Sequence, residues 1–484
     1  MGSVLKNRSF RRRLLTVGSV ALALPLGGCL LTDNPDPALD IPAHYRAGPR
    51  NPAVAEAALP RLDWWRSFRS RELTQIIEEA REANLDIAAA IARIVQADAQ
   101  ARVSGAALLP TVSLDGSGTR SRSSQSTGTG VGGASERGLY SASLSGSYEI
   151  DFWGKNRAAL RSAEESAVAT RFDRDVVTLT TMAAAANAYF QVLAAQDRLA
   201  TARRNITSAQ RVLDLIRQRL NAGTASELDT SQQESLLATQ KAAVPPLELA
   251  LRQNANALAL LTARPPERVT IRGGSLRSVA VPRVTPGLPS ELIAQRPDIR
   301  EAEAALAAAS FNVENARAAM LPSITLTGEG GYQSSALRTL MRPESAFFNL
   351  AAGLTQPIFD GLRLQGQLDL AKGRQDELLQ NYRKSVISGF TDVENALAAI
   401  QQNAIRERLQ QEAVVASRRA FEISETRLRE GTVDLVTVLQ TQQTLFQAED
   451  ALAQVRLARL QAVISLFQAL GGGWLPKPVE ANAR

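Results

Sequence analysis

Two parts of the chain alternate strictly between polar and apolar positions. From Ser141 to Ile150 the odd-numbered residues are Ser or Glu, and the even-numbered ones are apolar, Tyr or Gly. From Ser323 onward, Ser, Thr and Glu alternate in the same way with Ile, Leu and Gly. A period of two predicts strands with one apolar face. We therefore place strands at about 110–118, 139–150, 322–333 and 347–358.

Such strands suit two settings, which the alternation alone does not separate. They could form soluble, half-buried hairpins, or they could cross a membrane, which takes about 9–11 residues per strand. Four strands cannot close a pore, and open sheet edges are not tolerated in lipid. Two copies of the chain would give eight strands and a filled interior, whereas three would give twelve and a lumen. The serine-rich face suits a wet lumen and favours a trimer.

The hydrophobic pattern between the strands predicts unusually long helices. No proline interrupts the stretch from Lys155 to Asn221, which as one helix would be roughly 100 Å long at about 1.5 Å per residue. Its apolar residues recur at steps of three and four, as in a coiled coil, and its arginines make it too charged to span a membrane. The other predicted helices cover about 71–105, 226–263, 298–319, 362–430 and 434–470. Pro245-Pro246 should kink or break the one at 226–263.

The pattern occurs twice along the chain. Leu109–Leu114 matches Leu321–Leu326, Asp151–Gly154 matches Ile358–Gly361, and Arg219–Thr224 matches Arg427–Thr432. The offset stays near 210 residues, which indicates an internal duplication. We assign the first repeat to 63–263, a Pro/Gly-rich linker to 264–290, the second repeat to 291–472 and a tail to 473–484.

The N-terminus has the three parts of an export signal. Lys6 and four arginines precede an apolar stretch at 14–26 that is too short to span a bilayer. Leu26-Gly27-Gly28-Cys29 follows and resembles a bacterial lipobox. The alternatives are a plain secretory signal with a chance cysteine and a twin-arginine signal. We predict a signal peptide at 1–28, acylation of Cys29 and, because Leu30 follows, sorting to the outer membrane. The proline-rich residues 29–62 are predicted to be a tether.

Composition narrows the chemistry. The net charge of +7 includes five basic residues of the predicted signal, so the mature chain is nearly neutral and nucleic-acid binding is not expected. One cysteine and one histidine, His44, cannot make an internal disulfide or a Cys/His zinc cluster, and His44 lies in the proline-rich segment. We find no phosphate loop, metal cluster or nucleophile elbow, and so predict no enzyme and no metal site.

Both long helices should end in a glycine turn. The turns Asn221–Thr224 and Arg429–Thr432 place Gly223 and Gly431 where a left-handed residue ends a helix. Ser226-Glu227-Leu228-Asp229 then resembles a capping box for the return helix.

The whole arrangement resembles the outer membrane factor family, the TolC/NodT-like outer membrane lipoprotein subunits of tripartite efflux pumps. The motifs that carry the resemblance are Asn84-Leu85-Asp86-Ile87, Leu108-Leu109-Pro110, Ser147-Tyr148-Glu149-Ile150-Asp151-Phe152-Trp153-Gly154, Leu288-Pro289-Ser290-Glu291-Leu292-Ile293-Ala294-Gln295-Arg296-Pro297-Asp298-Ile299 and Gln356-Pro357-Ile358-Phe359-Asp360-Gly361.

The resemblance implies an α+β membrane protein. Four strands per chain would form a trimeric twelve-stranded β-barrel in outer membrane lipid, continuing into a periplasmic tunnel of α-helical coiled coils. The expected partners are two further copies of the chain, a periplasmic membrane-fusion adaptor and an inner-membrane efflux transporter. No cofactor is implied beyond the covalent lipid on Cys29.

In such proteins the helix tips close the periplasmic end, often with a ring of aspartates. A ring of like charges in a narrow lumen attracts cations. Asp229 and Asp434 are the acidic candidates here, and Thr437 and Gln440 stand where relatives commonly place Asp. Both aspartates could equally serve as carboxylates at helix N-termini. The tips themselves, at Gly223, Thr224, Gly431 and Thr432, are candidates for docking the adaptor.

Three functions are consistent with these features. The first is a passive exit duct for drugs or toxic small molecules in an efflux pump. The second is the outer membrane channel of a type I protein secretion system, and the third is a non-conducting coiled-coil lipoprotein scaffold or adhesin. The lipobox and the Leu288–Ile299 motif favour the first, and the sequence does not identify the cargo or the partner pump.

Overall fold

A computed structural model describes residues 37–39, 41–42, 45–46, 61–122, 136–284, 287 and 289–474. The predicted signal peptide, Cys29, His44, most of the tether and residues 475–484 lie outside the described residues. The chain divides into two compact units. We call the one that contains 95–169 and 303–381 the strand unit, and the one that contains 38–94, 170–302 and 382–484 the helix unit.

The described part of the chain is mainly helical and has four strands, as predicted. The helices, in chain order, are α1 Arg71–Ala83, α2 Leu85–Gly105, α3 Lys155–Asn221, α4 Glu227–Ala242, α5 Val244–Leu261, α6 Pro289–Gln295, α7 Pro297–Ala318, α8 Arg363–Arg429 and α9 Leu435–Ala469. The strands are β1 Thr111–Arg122, β2 Glu136–Ile150, β3 Ser323–Ser334 and β4 Ala346–Thr355. Helices α3 and α8 have 67 residues each.

The prediction of a single helix at 71–105 is wrong, because the structure has two helices there, α1 and α2. Asn84 adopts an extended conformation between α1 and α2. Its side-chain oxygen accepts hydrogen bonds from the backbone N–H groups of Asp86 (2.9 Å) and Ile87 (3.1 Å). An asparagine used in this way ends one helix and caps the next, so the signal for the break was present in the sequence.

Other boundaries also differ from the prediction. Strands β1 and β2 extend to Arg122 and back to Glu136, beyond the apolar alternation, because their ladder continues through polar residues. Strand β4 runs from Ala346 to Thr355 and so begins and ends earlier than predicted. The predicted kink at Pro245-Pro246 appears as the boundary between α4 and α5. Ala243 keeps right-handed helical angles there, so the chain stays helical in conformation across the boundary.

The strand unit contains one antiparallel sheet in the order β1-β2-β3-β4. Pairing of β2 with β3 joins the hairpins of the two repeats, with Ser145 opposite Glu329 and Leu144 opposite Gly330. In the described residues the outer edges of β1 and β4 carry no further strand. The sheet therefore has two open edges, the arrangement that proteins normally cover or pair.

The joint between β2 and α3 is fixed by side-chain contacts. The two carboxylate oxygens of Asp151 accept hydrogen bonds from the backbone N–H groups of Asn156 and Arg157, both at 2.9 Å. The indole N–H of Trp153 donates to the carbonyl of Pro322 at 2.8 Å. The first contact caps α3 and the second ties it to the start of β3.

The helix unit has an aromatic core. Trp64, Trp65 and Phe68, from a short 3₁₀ helix, pack with Phe190 and Phe467. The Trp64 and Phe467 rings stack with centroids 5.0 Å apart. All five side chains are at most 5% exposed, so a chain that is poor in aromatic residues concentrates several of them in this core.

Helix α3 is the one described helix with a stretch apolar enough to cross a membrane by length and composition alone. Of that stretch, 61% is buried in the structure. Between Leu179 and Ala194 the helix supplies a large part of the aromatic core. Its apolar character is therefore accounted for by packing within the protein.

The proline- and glycine-rich linker is held by helix side chains. The Glu72 carboxylate accepts hydrogen bonds from the N–H groups of Arg272 (2.8 Å) and Gly273 (3.2 Å). Asp197 accepts from the N–H of Leu276 at 2.9 Å. Gly273 has φ +74°, and an added Cβ would lie 1.9 Å from a side-chain oxygen of Gln196. The linker is thus fixed to the first repeat.

We expect Gly273→Ala to lower the apparent melting temperature of the detergent-solubilised protein by several degrees. The substitution combines a left-handed conformation, which costs an alanine about 1 kcal/mol, with a clash against Gln196. Gly361→Ala is the matched control, because Gly361 has φ +69° and open space around its Cβ position. Equal melting temperatures for the two variants would contradict the clash.

Candidate functional site

The two helix tips of the helix unit have the same geometry. At the end of α3 the N–H of Gly223 donates to the carbonyl of Leu220 (2.9 Å), and that of Thr224 donates to Arg219 (2.8 Å). At the end of α8, Gly431 and Thr432 repeat this pattern at 3.1 and 2.9 Å. The glycines have φ +71° and +76°. Both helices therefore end in a Schellman motif, with the glycine in the position where a Cβ is costly.

Both candidate gate aspartates cap the return helices. One carboxylate oxygen of Asp229 accepts hydrogen bonds from the N–H (2.8 Å) and hydroxyl (2.9 Å) of Ser226. The Ser226 hydroxyl accepts in turn from the N–H of Asp229, which completes the predicted capping box. Asp434 is the N-cap of α9 and accepts from the N–H of Thr437 at 2.9 Å. Hydrogen bonding from Thr437 holds the pKa of Asp434 below its ordinary value.

These contacts establish a structural role for both carboxylates. Ser226 and Asp434 are the N-cap residues of the return helices in the two repeats, and Asp229 and Thr437 each lie three residues after the N-cap. The carboxylate is thus at the third helical position in the first repeat and at the N-cap in the second. Thr437 is part-buried, and the Gln440 side chain is exposed.

One arginine connects the two tips. The guanidinium of Arg219, in the last turn of α3, donates to the carbonyl of Leu428 in α8 and, at 3.4 Å, to that of Thr224. Leu428 lies in the last turn of α8, where its carbonyl also accepts from the N–H of Gly431, and Thr224 lies in the turn that follows α3. The arginine therefore satisfies carbonyls at both tips and holds them side by side.

A buried carboxylate adds a second connection between the repeats. Glu425 of α8 is 7% exposed. Its two oxygens accept from Arg211 of α3 at 2.9 Å and from Arg429 at 2.7 Å. A buried charge is stable only when it is paired and hydrogen-bonded, and here the pairing requires both long helices.

A pair of fully buried glutamines links the return helices. Gln233 of α4 and Gln442 of α9 are both 0% exposed, and their side chains approach to 3.4 Å. Gln233 also donates to the carbonyl of Ala209 at 2.9 Å, and Gln442 to the hydroxyl of Ser208 at 3.4 Å. Buried amides permit few alternative packings without losing these bonds. The pair therefore fixes the position of both return helices along α3.

These connecting residues are not predictable from their own position in the sequence. Arg219 is one arginine among several on a long helix, and Glu425, Gln233 and Gln442 belong to no recognisable motif. A glutamine within an apolar helix stripe was the available signal for the buried pair. For Arg219 and Glu425 no local signal exists, because their partners lie some 200 residues away.

The sheet of the strand unit presents a second polar site. Ser113 and Ser145 hydroxyls lie 2.6 Å apart, and the Asp115 carboxylate accepts from both, at 3.2 and 3.0 Å. On the same face, Ser113 and Ser145 line a cavity of about 240 Å³ together with Glu329, Asn349 and neighbouring Ser and Thr residues.

The opposite face of the sheet is apolar and exposed. Leu114, Phe348, Leu350 and Leu354 are 70–82% exposed. Soluble proteins rarely leave so many large apolar side chains together in water. Within the described residues no group of three or more His, Cys, Asp or Glu could hold a metal ion.

Comparisons of the sequence and of the structure with known proteins both identify similarity to outer membrane efflux proteins. A model of the outer membrane efflux protein family matches residues 76–264 and again 288–472. The pyoverdine export outer membrane protein OpmQ of Pseudomonas putida is 42% identical over 433 residues, which cover 88% of this chain and 92% of OpmQ. The toluene efflux pump outer membrane protein TtgC of P. putida is 30% identical over 465 residues, covering 95% and 96%.

The fold agrees with that of a solved channel. The structure of the outer-membrane channel OprN superposes with a TM-score of 0.85 at 26% identity, covering 92% of this chain and all of that one.

Proposed function

Because the chain belongs to the outer membrane efflux protein family, and is the outer-membrane component of an efflux system that extends into the periplasm, we propose that it works as a passive trimeric exit duct for small molecules. The family is one of channels and not of enzymes. The proposal assigns no catalytic residue, and the energy for transport comes from the partner pump.

The register of the sheet is the observation that carries the proposal. It separates an exposed apolar face from a face of hydroxyl, carboxylate and amide side chains, and it leaves two open edges. In lipid every backbone N–H and C=O needs a partner, so the edges must be paired by other copies. Three copies supply twelve strands, enough to enclose a lumen lined by the polar face.

Residues at the base of the sheet support the same placement. Ile358 and Phe359, which follow the end of β4, are 90% and 86% exposed, and Phe152 and Trp153, which follow the end of β2, contact each other edge to face. Aromatic residues collect where a membrane protein leaves the hydrocarbon region. We assign this level to the periplasmic membrane interface and the helix unit to the periplasm. We further propose that Cys29 carries a covalently attached lipid.

Two neighbouring residues test which face meets lipid. We expect Leu144→Arg to reduce the amount of protein inserted in the outer membrane, since an arginine facing mid-bilayer costs about 2–4 kcal/mol. Ser145→Arg is the matched control, because Ser145 points to the opposite face of the same strand. It should insert normally and lower single-channel conductance in planar bilayers. Normal insertion of Leu144→Arg would contradict the membrane-spanning sheet.

We propose that Asp229 lines the closed periplasmic constriction, with Asp434, Thr437 and Gln440 as the second-repeat residues near it. A helix cap uses one carboxylate oxygen of Asp229, and its negative charge remains available to a lumen. Three copies would form a ring that attracts cations and repels anions.

Asp229→Asn removes the charge while an acceptor for the cap remains, and Asp229→Ala removes both. We expect both variants to weaken block of single-channel conductance by divalent cations in planar bilayers. Glu227→Gln, an exposed carboxylate in the same helical turn, is the control and should leave block unchanged. Unaltered conductance and block in both Asp229 variants would disprove the gate.

We propose that the two tips dock a periplasmic adaptor, which itself connects to an inner-membrane transporter. Thr224 and Thr432 are exposed, and added side chains at Gly223 and Gly431 would meet open space. Cysteines introduced at Thr224 and Thr432 should cross-link to the adaptor in cells. A cysteine at exposed Gln253 of α5 is the control and should not, whereas cross-linking from Gln253 alone would move docking away from the tips.

A further inference from the structure

A pocket in the helix unit is filled by a residue from the N-terminal segment. Tyr45 is 5% exposed and packs in what we call the Tyr45 pocket. Its walls come from α6, α8 and the end of α9, and comprise Leu292, Val393, Ala396, Leu397, Leu466, Ala469 and Leu470. All of these wall residues lie more than 200 positions after Tyr45 in the sequence. Tyr45 therefore docks the N-terminal segment onto helices from much later in the chain.

A backbone contact accompanies the buried ring. The N–H of Arg46 donates to the carboxylate of Glu394, one residue after Val393 of the pocket. Ile41 and Pro42, from the same segment, are exposed. Burial in the described part of residues 37–46 is thus concentrated at Tyr45.

The ring, and not the hydroxyl, accounts for this docking. The Tyr45 hydroxyl is buried, with no hydrogen-bond partner among the described residues. Burial raises the pKa of Tyr45 above its ordinary value. Burying an unpaired hydroxyl is unfavourable, so the favourable part is removal of the aromatic ring from water.

We propose that Tyr45 is a latch that docks the N-terminal segment onto the helix unit. The consequence of this latch in the cell, which is a limit on the distance between the lipid and the helix unit, rests on the proposed acylation of Cys29. Tyr45 lies sixteen residues after Cys29, so the latch keeps the lipid within about 55 Å of the pocket, at about 3.5 Å per residue. Among the described residues, Trp64 is the next buried one along the chain, and the same arithmetic from Cys29 to Trp64 allows about 120 Å. The latch therefore reduces the maximum distance between the lipid and its nearest docked residue in the helix unit by about half.

Limited trypsin digestion of the full-length protein in membranes tests the latch. Cleavage after Arg46, followed by mass spectrometry, requires the docked backbone to open locally. We expect Tyr45→Ala to speed this cleavage by about tenfold or more relative to the unchanged chain. Ile41→Ala, at an exposed site in the same segment, should leave it unchanged. Cleavage of Tyr45→Ala no faster than that of Ile41→Ala would overturn the latch.

A second variant separates ring from hydroxyl, and a third separates the latch from the anchor. Tyr45→Phe should be cleaved as slowly as the unchanged chain or more slowly, and fast cleavage would overturn docking by the ring. Cys29→Ala should lose incorporation of labelled fatty acid while cleavage after Arg46 stays slow. If the label persists in Cys29→Ala, the proposed lipid site fails and the latch stands. If cleavage after Arg46 becomes fast in Cys29→Ala, docking depends on the lipid and the latch as proposed fails.

Discussion

The backbone of a strand in lipid must find all its hydrogen-bond partners within protein, and this constraint shapes the whole molecule. The sheet satisfies it internally for β2 and β3 but leaves one side of β1 and one side of β4 open. A single chain is therefore incomplete as a membrane protein. The duplication already brings two hairpins into one sheet, and in the proposed trimer further copies would extend the same pairing until the sheet closes.

The sheet's two faces follow from the same geometry. Side chains alternate along a strand, so one register decides every contact on both faces at once. The serine hydroxyls meet across β1 and β2, and the leucines meet on the other side. A slip by one residue would move the hydroxyls to the apolar face, so the polar and apolar sets together specify the register.

The helix unit meets a different requirement, because its helices must be held in position near their tips. Glycine turns end the long helices, and aspartates cap the returning ones, so each repeat contributes the same motif. An apolar cluster of α3, α8 and α9 joins the repeats near the tips, and polar contacts add to it: Arg219 between the tips, the buried Glu425 with two arginines, and the buried pair Gln233 and Gln442. Such contacts are directional, and a sliding helix would break them.

The sequence by itself determined the elements whose causes are local. Period-two alternation predicted four strands, proline-free apolar stripes predicted the long helices, and glycine followed by a capping sequence predicted both tips. Their repetition predicted the duplication. Asn84 shows where local patterns give conflicting predictions. Asparagine is a residue type typical of a helix cap, but the pattern across 71–105 predicted one continuous helix.

The tertiary structure decided what depends on residues far apart in the chain. The seat of Tyr45, the bridge from Arg219 to Leu428 and the glutamine pair each join positions about 200 or more residues apart. No local pattern encodes such a partner, since either residue alone resembles an ordinary surface or helix residue. These contacts can stabilise the protein only after the fold has brought their distant partners together.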